Sequence, residues 1–455
     1  MQRPEGLPHP SARSLRGLDW FVFCLADVQT GFGPFVAVYL TAQKWTQIDI
    51  GLIMTVSGLV ALAGQMPGGA LVDAARSERF VAALAIIAIS MSALAYAAWP
   101  VFGIVIAAAV LHAAASCVLG PAIAAISLGL VGHFAVSERL GRNARFASIG
   151  SGLAAAGMGA AGYLISNRAV FLVTVALCVP TLFALSRICD GEIDAERAHG
   201  GKPVPHPGEP TATFWELARN RPLVIFAACV ALFHLANAAM LPLVASIVTM
   251  RSTQWATALV GACIVVPQLV VAALSPSIGR RAQQWGRRPL VLLGFAALPI
   301  RGLLFAVAAN PYLLVAVQVL DGISAAVFAV MVPLVIADVT RGTGHFNLAQ
   351  GVVGSGIGIG ASLSMVLAGY VSDHLGGPAA FYGLAALAAS GFALMLAMMP
   401  ETRPDSDASP TTTPESCRPP GGPQKFLGNP VAVSALLDSR QEQEPSRVGK
   451  FNGGH

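Results

Sequence analysis

Residues 67–79 read PGGALVDAARSER, and residues 277–289 read SIGRRAQQWGRRP. Aligned without a gap they lie 210 residues apart, with Gly69 over Gly279 and Asp73 over Gln283. Both are arginine-bearing polar interruptions between long apolar runs. Two more matches keep nearly the same step. Gln29 and Pro34 are five apart, as are Asn237 and Pro242 at an offset of 208, and AVLHA around His112 matches QVLDG around Asp321 at an offset of 209. Three matches in order at almost one offset indicate a chain built from two related halves.

The composition says what solvent those halves need. Of 455 residues, 55% are hydrophobic and only 11% charged, and the mean hydropathy is +0.67. A soluble chain of this length cannot hide so much apolar surface, whereas a bilayer solvates it. Alternating ten-residue strands of the outer-membrane barrel type are absent. A span needs roughly 20 apolar residues, and twelve runs qualify: 18–41, 51–72, 80–99, 102–131, 145–166, 169–188, 221–249, 256–278, 289–309, 311–338, 347–371 and 378–400. The expected fold is an all-α polytopic membrane protein with twelve transmembrane helices in two pseudo-symmetric six-helix halves.

Arginine sets the orientation. The even-numbered connections carry Arg76 and Arg79, then Arg139, Arg142 and Arg145, then Arg280, Arg281, Arg287 and Arg288, then Arg341; the odd ones offer Lys44, Arg168 and Arg251. Both termini and the even loops are therefore expected in the cytosol. The division is a cytosolic N-terminus (1–17), a first half (18–189), a polar linker (190–220), a second half (221–402) and a Pro-, Ser- and Thr-rich tail (403–455) expected to be disordered. Within the linker, Ala212 to Arg219 has the character of a short surface helix. The seven cysteines show no metal-type spacing and read as free thiols. The net charge of +5 is modest and no basic stretch is interleaved with aromatics, so nucleic acid is not a partner. No cleaved leader is expected, no ATP-binding loop is visible, and no nucleophile, metal or cofactor set stands out.

Ionisable groups inside spans are costly and usually mark a route for substrate or protons. In FVFCLADVQTGFGPFVAVYL (Phe21–Leu40), Asp27 lies about nine residues in, which is roughly 14 Å deep. Gln29 sits two residues on, and both face one cavity only where Gly31, Gly33 and Pro34 distort the helix. His112, His234, Asn237, Arg301, Gln318 and Asp321 reach a similar depth. Gln318 with Asp321, and His234 with Asn237, are each three apart and share a helix face. Arg301 and Asp321 flank Asn310–Pro311 at similar distances and can pair across a hairpin, as a structural ion pair or as part of a site. If they pair, Asp27 is the carboxylate left to desolvation, which suits a proton carrier. Asp321 and His234 are the other proton-coupling candidates. Gln65, Gln268, Asn347 and Gln350 are weaker candidates, since amides often serve as interhelical bonds.

The two arginine-bearing stretches resemble the loop motif of the major facilitator superfamily, roughly Gly-x-Leu-Ala-Asp-Arg-x-Gly-Arg-Arg. The first copy keeps Gly69, Leu71 and Asp73 and loses the Arg that follows; the second keeps Gly286, Arg287 and Arg288 and has Gln283 where the acid belongs. Pro400-Glu401-Thr402-Arg403 is similar to that family's usual close. The resemblance covers residues 18 to 403. It implies that spans one, four, seven and ten line a central cavity, and that Gly69, Asp73, Arg76, Gly279, Gly286, Arg287 and Arg288 form a conformational latch. Asp73 would accept backbone N–H groups or pair with an Arg across the halves, or else simply cap a helix. Span five (FASIGSGLAAAGMGAAGYLI) lacks the Pro of the drug-antiporter subset. The expected function is secondary active transport of a small organic solute, coupled to protons, by a monomer in a bacterial inner membrane. An exporter of drugs or toxic metabolites and a non-transporting receptor or scaffold are the alternatives.

Overall fold

Capping side chains set where several of the helices begin. The computed structural model describes residues 10–30, 33–201, 217, 219–251, 256–308 and 310–403. In the first half, α1 spans Ala12–Thr30, α2 Gly33–Ala42, α3 Gln47–Asp73, α4 Glu78–Ala98, α5 Phe102–Leu164 and α6 Asn167–Ser186. A short α7 (Ala195–Ala198) follows, then α8 Arg221–Asn237, α9 Met240–Arg251, α10 Ala256–Trp285, α11 Arg288–Val307, α12 Pro311–Val339, α13 Phe346–Leu375 and α14 Gly377–Met398. Thr46, Ser77 and Ser166 accept a backbone N–H in the first turns of α3, α4 and α6, and Asn220 and Asn310 do so for α8 and α12. Each such bond satisfies one of the four donors that a helix start leaves unpaired. The N-cap residue of α13, His345, provides no such side-chain bond.

Ten helices among the described residues are long and apolar enough to cross a membrane, where the sequence suggested twelve runs. The difference has two local causes. The first run is divided into α1 and α2, and the side chains of Asp27 and Gln29 lie outside the described residues. Runs four and five are joined in α5, whose 63 residues would extend about 95 Å if straight, roughly three bilayer cores. Its continuity is broken at one residue, Gly132, with φ 68° and ψ 171°, a region open essentially to glycine alone. The connection expected between runs four and five is thus helical from its first residue, the turning Gly132, onward.

Apolar burial follows the two halves. One core joins residues of α1 to α6, and another joins α8 to α14 with a stripe of α5 that includes Leu128, Val136 and Leu140. The halves meet where α3 packs on α13 and where α5 packs on α10 and α12. The segment expected as a plain linker starts as docked structure. Asp190 pairs with Arg79 at 2.6 Å, Ser11 donates to Glu192 from both its N–H and its hydroxyl, and Asp194 N–H bonds Gly129 O at 3.2 Å. Ala198 and His199 are buried. The expected surface helix at 212–219 falls mostly outside the described residues, as does the tail apart from Arg403.

Candidate functional site

Arg301 on α11 gathers side chains from two other helices. Its Nη1 donates to Asn237 Oδ1 at 2.5 Å and to Asp321 Oδ1 at 2.6 Å, and its Nη2 donates to Gln318 Oε1 at 2.9 Å. Asn237 ends α8, and Gln318 and Asp321 lie one turn apart on α12, so the spacing of three found in the sequence becomes one face. The guanidinium also lies 5.2 Å from the Phe305 ring centre. Arg301 is 1% exposed, and among the described residues its Nε has no hydrogen-bond partner. Asp321 keeps 22% of its side chain exposed, so its carboxylate is the more open member of the pair.

Other expected site residues lie beside this cluster or apart from it. His234 stands edge-on to Phe233 and Phe328 rather than bonding Arg301, although its helix partner Asn237 does. His112 lies on α5, 3.5 Å from the Ser116 hydroxyl. Gln65 donates to Cys117 Sγ at 3.8 Å, and Gln268 accepts from Ser148 at 2.5 Å. Both amides join helices, as interhelical bonds do.

The two loop motifs lie at the joint between the halves. Asp73, the last residue of α3, accepts from Asn347 N–H at 3.2 Å, from Asn347 Nδ2 at 2.8 Å and from Leu348 N–H at 2.7 Å. A carboxylate of the first half thus caps α13 of the second, on the helix end whose dipole favours an anion. No arginine takes part, and Arg76 is exposed. A Cβ at Gly69 would collide with the backbone of Asn347, so only glycine lets α3 approach α13 so closely. The second copy makes the related contact in reverse. Gln283 donates to Ser137 Oγ at 2.9 Å and to Phe134 O at 3.0 Å, and a Cβ at Gly279 would collide with Ser137 O.

Gly286, Arg287 and Arg288 do not reach the first half. Arg287 Nε donates to Asp338 at 2.8 Å, and the N–H groups of Arg287 and Arg288 bond Glu401 at 2.7 and 3.1 Å. This end of the motif ties α11 to the end of α12 and to Glu401 after α14, so of the residues expected in the latch it is Gly69, Asp73 and Gly279 that touch the other half. Burial alone would raise the Glu401 carboxyl, but backbone N–H groups, that of Arg287 foremost, hold it below the usual carboxylate range.

Three groups here carried no local signal. His199 Nδ1 is 3.5 Å from Asp73 and Nε2 is 3.4 Å from Glu78, with the ring almost wholly buried. The backbone around it bonds the other half, with Gly200 O accepting from Gly342 N–H at 2.5 Å and Ala198 O from Asn347 Nδ2 at 3.2 Å. Two turns into α1, Asp19 takes Arg139 at 2.5 Å and Arg142 at 2.6 Å. Asp19 and Glu78 stand at the polar margins of apolar runs, and His199 in a stretch that reads as loop.

The sequence and the fold both have relatives. The family model for the Major Facilitator Superfamily matches residues 20–247 and 226–440. The chain is 42% identical over 411 residues to an uncharacterized MFS-type transporter of Mycobacterium tuberculosis, covering 88% of this chain and 96% of that one. It is 28% identical over 145 residues to the inner membrane transport protein YajR of Escherichia coli, about a third of each chain. The fold matches the crystal structure of the human organic anion transporter MFSD10 with a TM-score of 0.64 at 18% identity, over 87% of this chain and 100% of that one.

Proposed function

The chain belongs to the major facilitator superfamily, and from that premise we propose that it is a proton-coupled secondary transporter that moves a small organic solute by alternating access. The observation that carries this reading is the Arg301 cluster. Its guanidinium is closed off by three acceptors from α8 and α12, while Asp321 remains open on one side. A buried arginine held this way fixes the carboxylate in place. The open carboxylate then recognises a hydrogen-bond donor or cationic group on the solute, or takes a proton in its stead. Asp27 remains the first choice for the coupling carboxylate, with Asp321 and His234 next.

The joint between the halves supplies the moving part. The bonds from Asp73 to Asn347 and Leu348 exist only while α3 and α13 touch. They stabilise the state closed at that end and must break as the halves rock apart. The protein works as a monomer in the bacterial inner membrane, with both termini and the arginine-bearing connections in the cytosol.

The test is substrate-evoked current from purified protein in proteoliposomes, over a panel of metabolites and drugs and a range of pH. A compound that evokes pH-dependent charge movement, lost in Asp27→Asn, supports both transport and the coupling role of Asp27. If the movement survives there and vanishes in Asp321→Asn, the coupling role passes to Asp321. If no compound evokes current and counterflow with labelled candidates also fails, the transport reading falls.

A further inference from the structure

We propose that α1 and α6 form a binding site for the headgroup and upper acyl chain of an anionic phospholipid. Where these helices meet, a cavity of about 690 Å³ opens between them. Its rim carries Arg13 and Arg16 from the first turns of α1 and Arg187, the residue that ends α6. All three are exposed, and among the described residues none joins an ion pair. Other arginines of the chain are satisfied: Arg79 by Asp190, Arg139 and Arg142 by Asp19, and Arg287 by Asp338. Three unpaired guanidiniums around one cleft are suited to the forked recognition of a phosphodiester.

The cavity changes character with depth. Trp20 lies about 6 Å below Arg16 along α1, and Cys24 about 12 Å below it. Trp20 and Phe183 are 56% and 65% exposed, and the Arg187 guanidinium lies 6.0 Å from the Phe183 ring centre. Pro180 and Cys24 form the lower wall. Cys24 also borders a second cavity of about 270 Å³, lined by Phe23, Leu153, Met158 and Leu177 among other apolar residues of α1, α5 and α6. Cationic rim, aromatic middle and apolar floor follow the order of headgroup, interface and acyl chain in a phospholipid. A soluble phosphate would match the rim and leave the aromatic and apolar walls uncovered. This site shares no residue with the Arg301 cluster, which draws on α8, α11 and α12.

Trp20 serves as the reporter. The full-length protein is reconstituted into phosphatidylcholine vesicles that contain either brominated phosphatidylglycerol or brominated phosphatidylcholine at the same mole fraction. The Trp20 signal is the difference between wild type and Trp20→Phe. Brominated phosphatidylglycerol should quench it several-fold more strongly than brominated phosphatidylcholine. That preference should disappear in the triple variant Arg13→Gln, Arg16→Gln, Arg187→Gln and persist in Arg168→Gln, which removes one charge from the opposite end of α6. Equal quenching by the two lipids in wild type overturns the proposal. So does relief of the preference by inorganic phosphate alone at constant ionic strength, which would mean a site for a free anion. Where the triple variant does not fold, the wild-type comparison and Arg187→Gln alone, with a reduced preference expected, decide the matter.

Discussion

Asp73 and Gln283 occupy equivalent places in the two halves and hold the same joint by opposite means. Asp73 accepts two N–H groups and an amide at the start of α13, whereas Gln283 donates to Ser137 and Phe134 on α5. The donor Asn347 and the acceptor Ser137 are themselves 210 residues apart, the same step as Asp73 and Gln283. The duplication is preserved in the placement of the contacts, and only one side uses a charge. A charge-assisted bond to a helix start is worth more than a neutral one.

Asp73→Asn should therefore weaken the state in which α3 touches α13 by about 1–2 kcal/mol, a shift of roughly 5- to 30-fold in that equilibrium. Spin labels at the exposed positions 76 and 341 would report it as a larger share of long distances. Gln283→Ala should move the distribution less. Equal effects of the two variants would contradict the charge asymmetry.

His199→Ala should lower the thermal midpoint, because Asp73 and Glu78 would face each other without the ring between them. A buried polar group deprived of its partner costs about 1–3 kcal/mol. Adding Glu78→Gln should recover part of the loss, and purely additive midpoints across the double-mutant cycle would argue against the clasp.

Removing one member of the Arg301–Asp321 pair should act unequally. Arg301→Ala leaves Asp321 uncompensated and should cost about 3–5 kcal/mol in unfolding measurements. Arg301→Lys should not restore function, since one ammonium cannot reach acceptors on both α8 and α12 in this geometry. Asp321→Asn keeps an acceptor for Arg301, so it should fold and lose transport or its pH dependence. An Asp321→Asn protein with unchanged flux would remove Asp321 from the site.

Glu401 gives a pH signature. Its folded-state carboxyl titrates below the usual range because the N–H groups of Arg287 and its neighbours offset the effect of burial. The sign follows: the stabilisation is complete above the ordinary carboxylate range and is lost as pH falls through the lowered value. Thermal midpoints of wild type should drop on acidification more steeply than those of Glu401→Gln. Parallel acid limbs would show that these backbone bonds contribute nothing.

Much of this was legible in the sequence because its signals are local or periodic. The apolar runs gave the helices, and the repeat gave the halves. The Arg301–Asp321 pair was readable because both flank one short turn. That Asn237 joins them was visible only as a shared depth, since hydropathy says nothing of which faces meet. The partners of Asp73 lie 274 and 275 residues away, where no pattern within one segment reveals them. His199 sits in HGGKP, which reads as loop, and its burial depends on two acids brought there by folding. Runs four and five were divided by their arginines, which lie in the helix that continues beyond Gly132.

The glycines at positions 69 and 279 have a further consequence, for rates. At both places the halves touch backbone to backbone, with no side chain of the glycine reaching into the other half. Surfaces that interlock through bulky groups can part only after those groups change rotamer, which raises the barrier to opening. At these two points there is nothing to withdraw. The speed of separation should be governed there by a few polar bonds, and it should fall when either glycine is enlarged, even where the resting structure survives.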